Sequence, residues 1–98
     1  MSSETGFDWD PLKAARNQMK HGVGFPEAST AFEDPRSLTG ADTLHSSNEE
    51  RFVLVGRSVE GRLLVVIHVD RGETIRIISA RRATWHERVD YEQAQGNR

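Results

Sequence analysis

The stretch "RFVLVGRSVEGRLLVVIHVDRGETIRIIS", residues 51–79, decides the fold of this 98-residue chain. Three of its segments, 51–59, 62–69 and 74–79, are rich in Val, Ile and Leu, which is typical of β-strands. Short glycine-containing segments between them fit tight turns, so the stretch predicts an antiparallel meander. Because the middle segment is apolar on both faces, we expect other elements to cover both sides of the sheet.

The turn positions predict which residues face each other across the strands. A two-residue loop at 60–61 places Leu54 opposite Ile67. A turn at 71–72 places Ile67 opposite Arg76 and His68 opposite Ile75. Because successive residues of a strand alternate between faces, this register puts His68 and Arg76 on opposite sides of the sheet.

The segment before the sheet predicts an extended stretch and a helix. "GFDWD", residues 6–10, alternates in the way of an edge strand. Asp10 is a good N-cap, Pro11 suits the first helical position and Gly22 suits the position after the last turn. These signals predict a helix over 11–21.

Further signals place the remaining elements. A second short helix begins after Phe25 and ends before Pro35. Residues 36–50 form a polar loop, with room for a brief strand at 37–39, and long loops of this kind are often functional or mobile. The last helix is predicted over 80–94. The chain is therefore expected to be α+β, in a single domain that spans residues 1–98.

Composition limits the classes of protein that are possible. The chain has no cysteine, which excludes disulfides and thiolate chemistry. It has no apolar run of the ~18 residues that a membrane span needs, and its N-terminus does not resemble a signal peptide. We expect a cytoplasmic protein.

The net charge of −2 conceals an uneven distribution. Residues 1–50 contain four Lys or Arg against nine Asp or Glu, whereas residues 51–88 contain eight Arg against four Asp or Glu. Arginine is suited to bidentate contacts with phosphate or carboxylate. The second half therefore suggests recognition of an anion.

Arginines at the junction between the last strand and the last helix are the first candidates. Arg76 lies between two isoleucines, where it either pairs with a carboxylate such as Glu87 or points off a sheet edge, or else binds phosphate on an exposed face. Arg81 and Arg82 are predicted in the first helical turn with Ser79 as N-cap. Helix N-termini favour anions, so these residues form an anion site or are simply solvated.

Histidines and glutamates supply candidates for proton transfer. His68, in the apolar middle strand, is either a hydrogen-bonded core residue or a general acid or base. His21 follows Lys20 at a helix C-terminus, where cations are favoured. Glu49 and Glu50 precede the first long strand and either supply a base or form surface ion pairs.

Known catalytic motifs are absent from the sequence. There is no glycine-rich phosphate loop, no set of residues with metal-ligand spacing and no nucleophile signature. We expect no metal and no cofactor. Arginine, histidine and glutamate suit metal-independent cleavage of RNA by its own 2′-OH, in which the protein orients the substrate and stabilises charge.

Several ordered segments resemble the BrnT family of type II toxin–antitoxin toxins. They are "FDWD", "KHGV-F-EA", "F-DP", "EERFV--G", "GRLLVVIH" and "RIISAR-AT--ER--YE", from Phe7 to Glu92. The resemblance implies a RelE-like fold of order β-α-α-β-β-β-α and a ribonuclease that inhibits translation. It also implies neutralisation by a BrnA-type antitoxin whose ribbon-helix-helix part binds operator DNA.

The resemblance also implies site residues. In the catalytic role we expect His68, Arg76, Arg81 and Glu50. For RNA or phosphate binding we expect Lys20, His21, Arg51, Ser79, Arg82 and Arg88, and the segment "ER--YE" matches at Glu87, Arg88 and Tyr91. Where family members carry further basic residues, this chain has Trp85 and His86.

Two functions remain open. The first is a ribonuclease toxin. The second is an inactive relative that binds an antitoxin or nucleic acid without cutting it, which the acidic first half and Trp85 favour.

Overall fold

A five-stranded sheet forms the centre of the computed structural model, which describes residues 6–44 and 48–96. Residues 45–47 of the predicted loop, and the ends of the predicted domain, lie outside the described residues. The sheet order is β1-β5-β4-β3-β2, antiparallel except that β1 runs parallel to β5. The strands are β1 (Gly6–Asp8), β2 (Leu38–Ala41), β3 (Phe52–Arg57), β4 (Leu63–Arg71) and β5 (Thr74–Arg82).

The α+β prediction and the predicted meander are confirmed, with one strand more than expected. The described part of the chain follows the order β-α-α-β-β-β-β-α, because the brief strand expected at 37–39 forms as β2 and pairs with β3. The helices are α1 (Pro11–His21), α2 (Phe25–Thr30) and α3 (Trp85–Gly96), and a 3₁₀ turn, Ala31–Glu33, follows α2.

Helix α1 has the predicted bounds because its two ends are specified locally. The Asp10 side chain accepts a hydrogen bond from the Leu12 N–H at 3.0 Å, and Gly22 closes the helix with a φ of 70°. That backbone conformation is accessible to glycine at little cost.

The predicted registers are wrong by one residue or more. In the first hairpin Leu54 faces Val66, because the loop spans 58–62 rather than two residues. The Ser58 N–H donates to the Arg62 carbonyl at 2.8 Å, and the Ser58 hydroxyl donates to the α2 carboxylate of Glu27, also at 2.8 Å. A contact with a distant helix therefore sets this turn.

The second hairpin contains an irregularity at Ile67/His68. His68 consequently faces Ile77, and Arg76 faces Val69. Such bulges insert one residue on one strand and change which side chains share a face. His68 and Arg76 still lie on opposite sides of the sheet, as predicted.

One face of the sheet packs against α1 and α2 and forms the core. The largest fully buried side chains include Phe25, Leu64 and Ile77. The core cluster of buried residues is Val23, Phe25, Ala28, Ala31, Leu54, Leu64, Val66, Ile77 and Ala80.

The opposite face, which we call the open face, carries Val53, Val55, Val65 and Ile67. Helix α3 covers only one end of it. There the Arg57 guanidinium lies 5.7 Å from the centre of the Tyr91 ring, and the Tyr91 hydroxyl donates to Asp34 Oδ2 at 2.6 Å.

Helix α1 is joined to β5 by a buried amide. Asn17 Nδ2 donates to the carbonyls of Val23, at 2.9 Å, and Ala80, at 2.8 Å, while its Oδ1 accepts from the Ala80 N–H at 3.1 Å. Strand β1 pairs only with residues 74–76 of β5. Farther along the same edge of β5, Asn17 therefore pairs with the backbone of Ala80 and takes the place that a longer β1 would have filled.

No helix among residues 6–44 and 48–96 is long and apolar enough to cross a membrane.

Candidate functional site

Three polar side chains form a row along β5 on the open face. Arg76, Ser79 and Arg81 face the open-face residues Val69, Ile67 and Val65 of β4. Arg76 and Arg81 are five positions apart, so a regular strand would point them to opposite faces. The irregularity opposite Ile67/His68 changes this alternation and brings both arginines to one side.

A groove of about 390 Å³ adjoins the Arg81 end of this row. Its floor is apolar, and its rim carries one arginine and two carboxylates. The lining residues are Ala41, Asp42, Thr43, Leu44, Val53, Val55, Val65, Ile67, Arg81 and Glu87.

Arg81 is held by a bidentate ion pair with Glu87 of α3. The two guanidinium nitrogens donate to the two carboxylate oxygens at 2.8 and 2.7 Å. These hydrogen bonds lower the pKa of Glu87 to about 2 and raise the pKa of Arg81. Both groups are therefore charged at neutral pH, and the pair is half-exposed at the groove.

The start of α3 differs from the prediction. The Ala83 N–H donates to the Leu63 carbonyl at 2.9 Å, so strand pairing continues past Arg82 and the helix begins only at Trp85. Thr84 and Glu87 form a reciprocal cap: the Thr84 N–H donates to Glu87 Oε1 at 2.8 Å, and the Glu87 N–H donates to Thr84 Oγ1 at 3.2 Å.

The predicted anion site at the first turn of the last helix is therefore wrong in its placement. Ser79 is not an N-cap, and Arg81 and Arg82 end a strand. The two arginines also point to opposite sides of the sheet, because Arg82 faces the core residue Leu64. The Arg82 side chain is exposed, and its charge contributes to lowering the pKa of Glu27.

Arg76 pairs with a carboxylate, although not with Glu87. Its Nη1 donates to Asp8 Oδ2 at 3.3 Å across the parallel pairing of β1 and β5. The Asp8 side chain is 52% exposed. Ion pairs this accessible to water contribute little free energy, so a stronger anion can replace Asp8 at low cost.

His68 lies on the other side of the sheet, away from the arginine row. It is 4% exposed, and its ring is 4.8 Å from the Phe32 ring and 5.9 Å from the Phe52 ring, measured between centroids. Its Nδ1 has no hydrogen-bond partner, and burial lowers the pKa of its imidazole. In this position His68 is a neutral core residue.

The other predicted site residues are dispersed. Lys20 and His21 end α1 on the core side of the sheet. Arg51 immediately precedes β3, and exposed Glu50 borders a second hollow at the start of that strand, whose lining includes Val69, the residue that faces Arg76. Arg88 approaches Glu92 of the same helix at 4.0 Å.

Glu87 belongs to this site but is not among the residues predicted to act in catalysis or RNA binding. Its "T-W-H-E" context, residues 84–87, has the Thr-x-x-Glu spacing of a capping box. That signal identifies both the true start of the helix and the carboxylate that reaches Arg81. Among the described residues, no group of three or more His, Asp or Glu is arranged to hold a metal ion.

Comparison with solved structures identifies the fold. The crystal structure of the Brucella abortus ribonuclease toxin BrnT matches with a TM-score of 0.63 and 20% sequence identity, covering 82% of this chain and 97% of that chain. The chain therefore shares the fold of that crystal structure. Comparison with curated proteins finds no match.

Residues 9–87 match the family model described as the ribonuclease toxin, BrnT, of a type II toxin–antitoxin system. The match covers most of the chain, and the chain belongs to this BrnT family. The resemblance drawn from the sequence is confirmed. Type II systems pair the toxin with a protein antitoxin, which identifies the class of partner.

Proposed function

We propose that this chain is an endoribonuclease toxin that cleaves RNA on the open face of its sheet. Family membership supports the reaction class. The observation that carries the choice of site is the row along β5, where a change of register brings Arg76, Ser79 and Arg81 to one face. We propose that the two guanidinium groups bind the scissile phosphate and that the Ser79 hydroxyl donates a hydrogen bond to it.

Cleavage by the RNA 2′-OH needs few protein groups. The 2′ oxygen attacks phosphorus, the bond from phosphorus to the 5′ oxygen breaks, and a 2′,3′-cyclic phosphate and a 5′-OH result. A proton leaves the 2′-OH and another reaches the departing 5′ oxygen. Guanidinium groups stabilise the negative charge that develops on the phosphorane, and they supply fixed positive charge without a metal.

Glu87 is our candidate for the proton acceptor. It contacts Arg81 directly, and hydrogen bonds from Arg81 are the main cause of its low pKa. When Arg81 turns to a phosphate, that cause weakens, and the Glu87 pKa rises towards its ordinary value. The carboxylate then becomes a stronger base beside the bound phosphate.

Other predicted roles stay predictions in this proposal. His68 is buried on the core side of the sheet and Glu50 borders the hollow that includes Val69, whereas Glu87 contacts Arg81 directly, so we assign proton transfer to Glu87 instead. Arg82 and Arg88, close to the row in sequence, are candidates for outer phosphate contacts. Lys20, His21 and Arg51 are candidates for contact with more distant parts of a long RNA.

Induction of the protein alone in a bacterial host tests the proposal. Growth and total RNA integrity are followed for the parent and for Arg76→Ala/Arg81→Ala. Lys13→Ala/Arg16→Ala is the matched control, because it removes the same charge from exposed positions of α1. We expect arrest and RNA decay with the parent and the control only. Arrest by the Arg76/Arg81 variant at equal expression would refute this site.

Assays with purified protein test RNA cleavage separately from the effect on translation. We propose that cleavage of a naked RNA continues in excess EDTA and leaves 2′,3′-cyclic phosphate ends. Loss of cleavage in EDTA, with recovery on adding a divalent ion, would contradict metal independence. Inhibition of cell-free protein synthesis by the parent, but not by Glu87→Gln, would support the proposed effect on translation.

We further propose that the antitoxin is of the BrnA type and meets the arginine row with carboxylates in the cytoplasm. Operator DNA would then be bound only through the antitoxin. The complex should protect Arg76 and Arg81 from a guanidinium-modifying reagent. Unchanged modification of both arginines in the complex would argue against direct occlusion of the row.

An inactive, purely binding relative is the second candidate function. The observation in its favour is that both arginines of the row already have carboxylate partners, Asp8 and Glu87. Under this alternative the protein binds antitoxin or RNA but leaves RNA intact at every protein concentration.

A further inference from the structure

Trp85 is a large aromatic side chain left in solvent at the start of α3. It is 70% exposed, and its only ring contact among the described residues is with His86, at 5.2 Å between centroids and 73° between planes. The other tryptophan, Trp9, instead packs edge-on against the core residue Phe25 at 5.9 Å. The core therefore does not use the Trp85 ring, and much of its surface is available to a ligand.

Hydrogen bonds connect Thr84, the residue before Trp85, to the proposed phosphate site. Trp85 directly follows Thr84, whose N–H shares Glu87 Oε1 with Arg81 Nη1, each at 2.8 Å. The indole is thus carried on the same short segment that holds the Arg81–Glu87 pair. Because Arg81 and Trp85 are four residues apart, their Cα atoms lie at most about 14 Å from each other.

Arginines lie near the exposed ring along the chain. Arg82, three residues earlier, is exposed, although it leaves the sheet on the face opposite Arg81. Arg88 lies three residues later, which places it on the neighbouring helical surface, and its approach to Glu92 is a long 4.0 Å. An exposed aromatic side chain combined with nearby arginines is the arrangement with which proteins bind single-stranded nucleic acid.

We propose that Trp85 is a stacking platform for a nucleobase adjacent to the scissile phosphate, so that the start of α3 is a subsite for single-stranded RNA. This inference rests on the proposed function. The base stacks on the indole while the neighbouring phosphate contacts Arg81. Stacking accepts any base, because each base has a π-face, so the subsite selects unpaired RNA rather than one sequence.

Charge favours RNA over a protein at this position. A protein interface centred on Trp85 would need apolar neighbours to bury with it. In the stretch 82–88, the only apolar residue besides Trp85 is Ala83, and the one acidic residue, Glu87, is paired with Arg81. The same stretch contains Arg82, His86 and Arg88. Phosphates satisfy these groups, and the indole supplies the remaining apolar contact.

The test uses a single-stranded 2′-O-methyl RNA oligonucleotide, which lacks the attacking hydroxyl and stays intact. Its Kd is measured by fluorescence anisotropy for the parent, Trp85→Ala, Trp85→Phe and the control Val59→Ala. Val59 is also 70% exposed and lies in the hairpin loop between β3 and β4. Intrinsic tryptophan emission is recorded in the same titration, with Trp85→Phe reporting the contribution of Trp9 alone.

We expect Trp85→Ala to weaken binding on the order of tenfold, Trp85→Phe to lose less, and Val59→Ala to match the parent. Emission of the parent should be quenched on binding, and that of Trp85→Phe should not. With cleavable RNA, Trp85→Ala should raise KM more than it lowers kcat. Equal unfolding midpoints in urea would show that the variants are folded.

Other outcomes separate this inference from the proposed function. Cleavage by the parent with unchanged RNA binding by Trp85→Ala would overturn the platform and leave the nuclease. Trp85-dependent binding without cleavage of ordinary RNA would keep the platform and refute the nuclease. Loss of antitoxin binding alone in Trp85→Ala would make the residue a protein contact, and absence of RNA binding by the parent would overturn both proposals.

Discussion

Replacement of Asn17 by alanine tests how α1 is fixed to the sheet. The substitution removes three buried hydrogen bonds, with the carbonyls of Val23 and Ala80 and with the Ala80 N–H. Both backbone partners belong to residues that are 0% exposed, so water does not replace the amide freely. Each buried group left unpaired costs ~1–3 kcal/mol, and alanine returns about 0.5 kcal/mol of helix propensity. The expected loss is about 3 kcal/mol or more.

Urea unfolding at pH 7 measures this loss, with emission of Trp9 as reporter because that ring packs against the core residue Phe25. Lys13→Ala, on the exposed surface of the same helix, is the control and should change stability by less than about 0.5 kcal/mol. Asn17→Asp should be worse than alanine at neutral pH, because a carboxylate would face two carbonyl oxygens, and should recover partly as the acid protonates. A loss below about 1 kcal/mol for Asn17→Ala, or a harmless Asn17→Asp, would refute this account.

Three further predictions concern single side chains. His68→Leu should abolish a loss of stability that the parent shows as the pH drops below 6.5. Burial lowers the pKa of His68 in the folded state, so the unfolded chain binds the proton first and the free energy of unfolding falls progressively below that pH. Urea midpoints between pH 7 and 5 measure this effect, and parallel curves for both proteins would contradict it. Glu87→Gln should lack part of the acid-dependent loss of stability that the parent shows as the pH falls from 4.5 to about 2, which is the interval between the ordinary and the folded pKa of Glu87. Acid titration followed by circular dichroism measures this difference. Gly56→Ala should lower the free energy of unfolding by ~1–3 kcal/mol, because the added Cβ would lie 2.7 Å from the Ala31 carbonyl oxygen. The control Gly40→Ala adds a Cβ that meets nothing within 4 Å, so it should be nearly neutral when both are measured by urea unfolding.

Elements with local signals were predictable from the sequence. The ends of α1 depend on Asp10, Pro11 and Gly22, all within the helix or next to it. The strands follow from runs of branched apolar residues. The first hairpin differed because its loop is fixed by Ser58 and Glu27, which are 31 residues apart in the chain. Such a contact does not show in local patterns.

The candidate site depends on an irregularity in the pairing of β4 with β5, which the regular alternation of strand side chains does not predict. Residues five apart in a regular strand point to opposite faces, so strand alternation alone does not place Arg76 and Arg81 on a shared surface. One irregular position in the β4–β5 ladder reversed that outcome. Glu87 was accessible to sequence reasoning through its capping spacing with Thr84, but the apparent cap at Ser79 placed the helix start too early.

Among the described residues, carboxylates of the first half pair with arginines of the second half in Arg62–Glu27, Arg71–Glu49 and Arg76–Asp8, whereas Arg81–Glu87 lies within the second half. The pairs differ in how easily a phosphate can replace the carboxylate. Glu27 is only 8% exposed and also binds Ser58, so its pair with Arg62 is structural. Asp8 is 52% exposed and contacts Arg76 at 3.3 Å at the surface, where an ion pair contributes at most about 1 kcal/mol. Glu87, 30% exposed, is held more firmly, because its bidentate hydrogen bonds with Arg81 lower its pKa to about 2. Under the proposed function, RNA therefore displaces Asp8 readily and Glu87 at a larger cost, and a net charge of −2 is compatible with an RNA-binding face. Ion pairs within the described residues include Arg62–Glu27, Arg71–Glu49, Arg76–Asp8, Arg81–Glu87 and Arg88–Glu92.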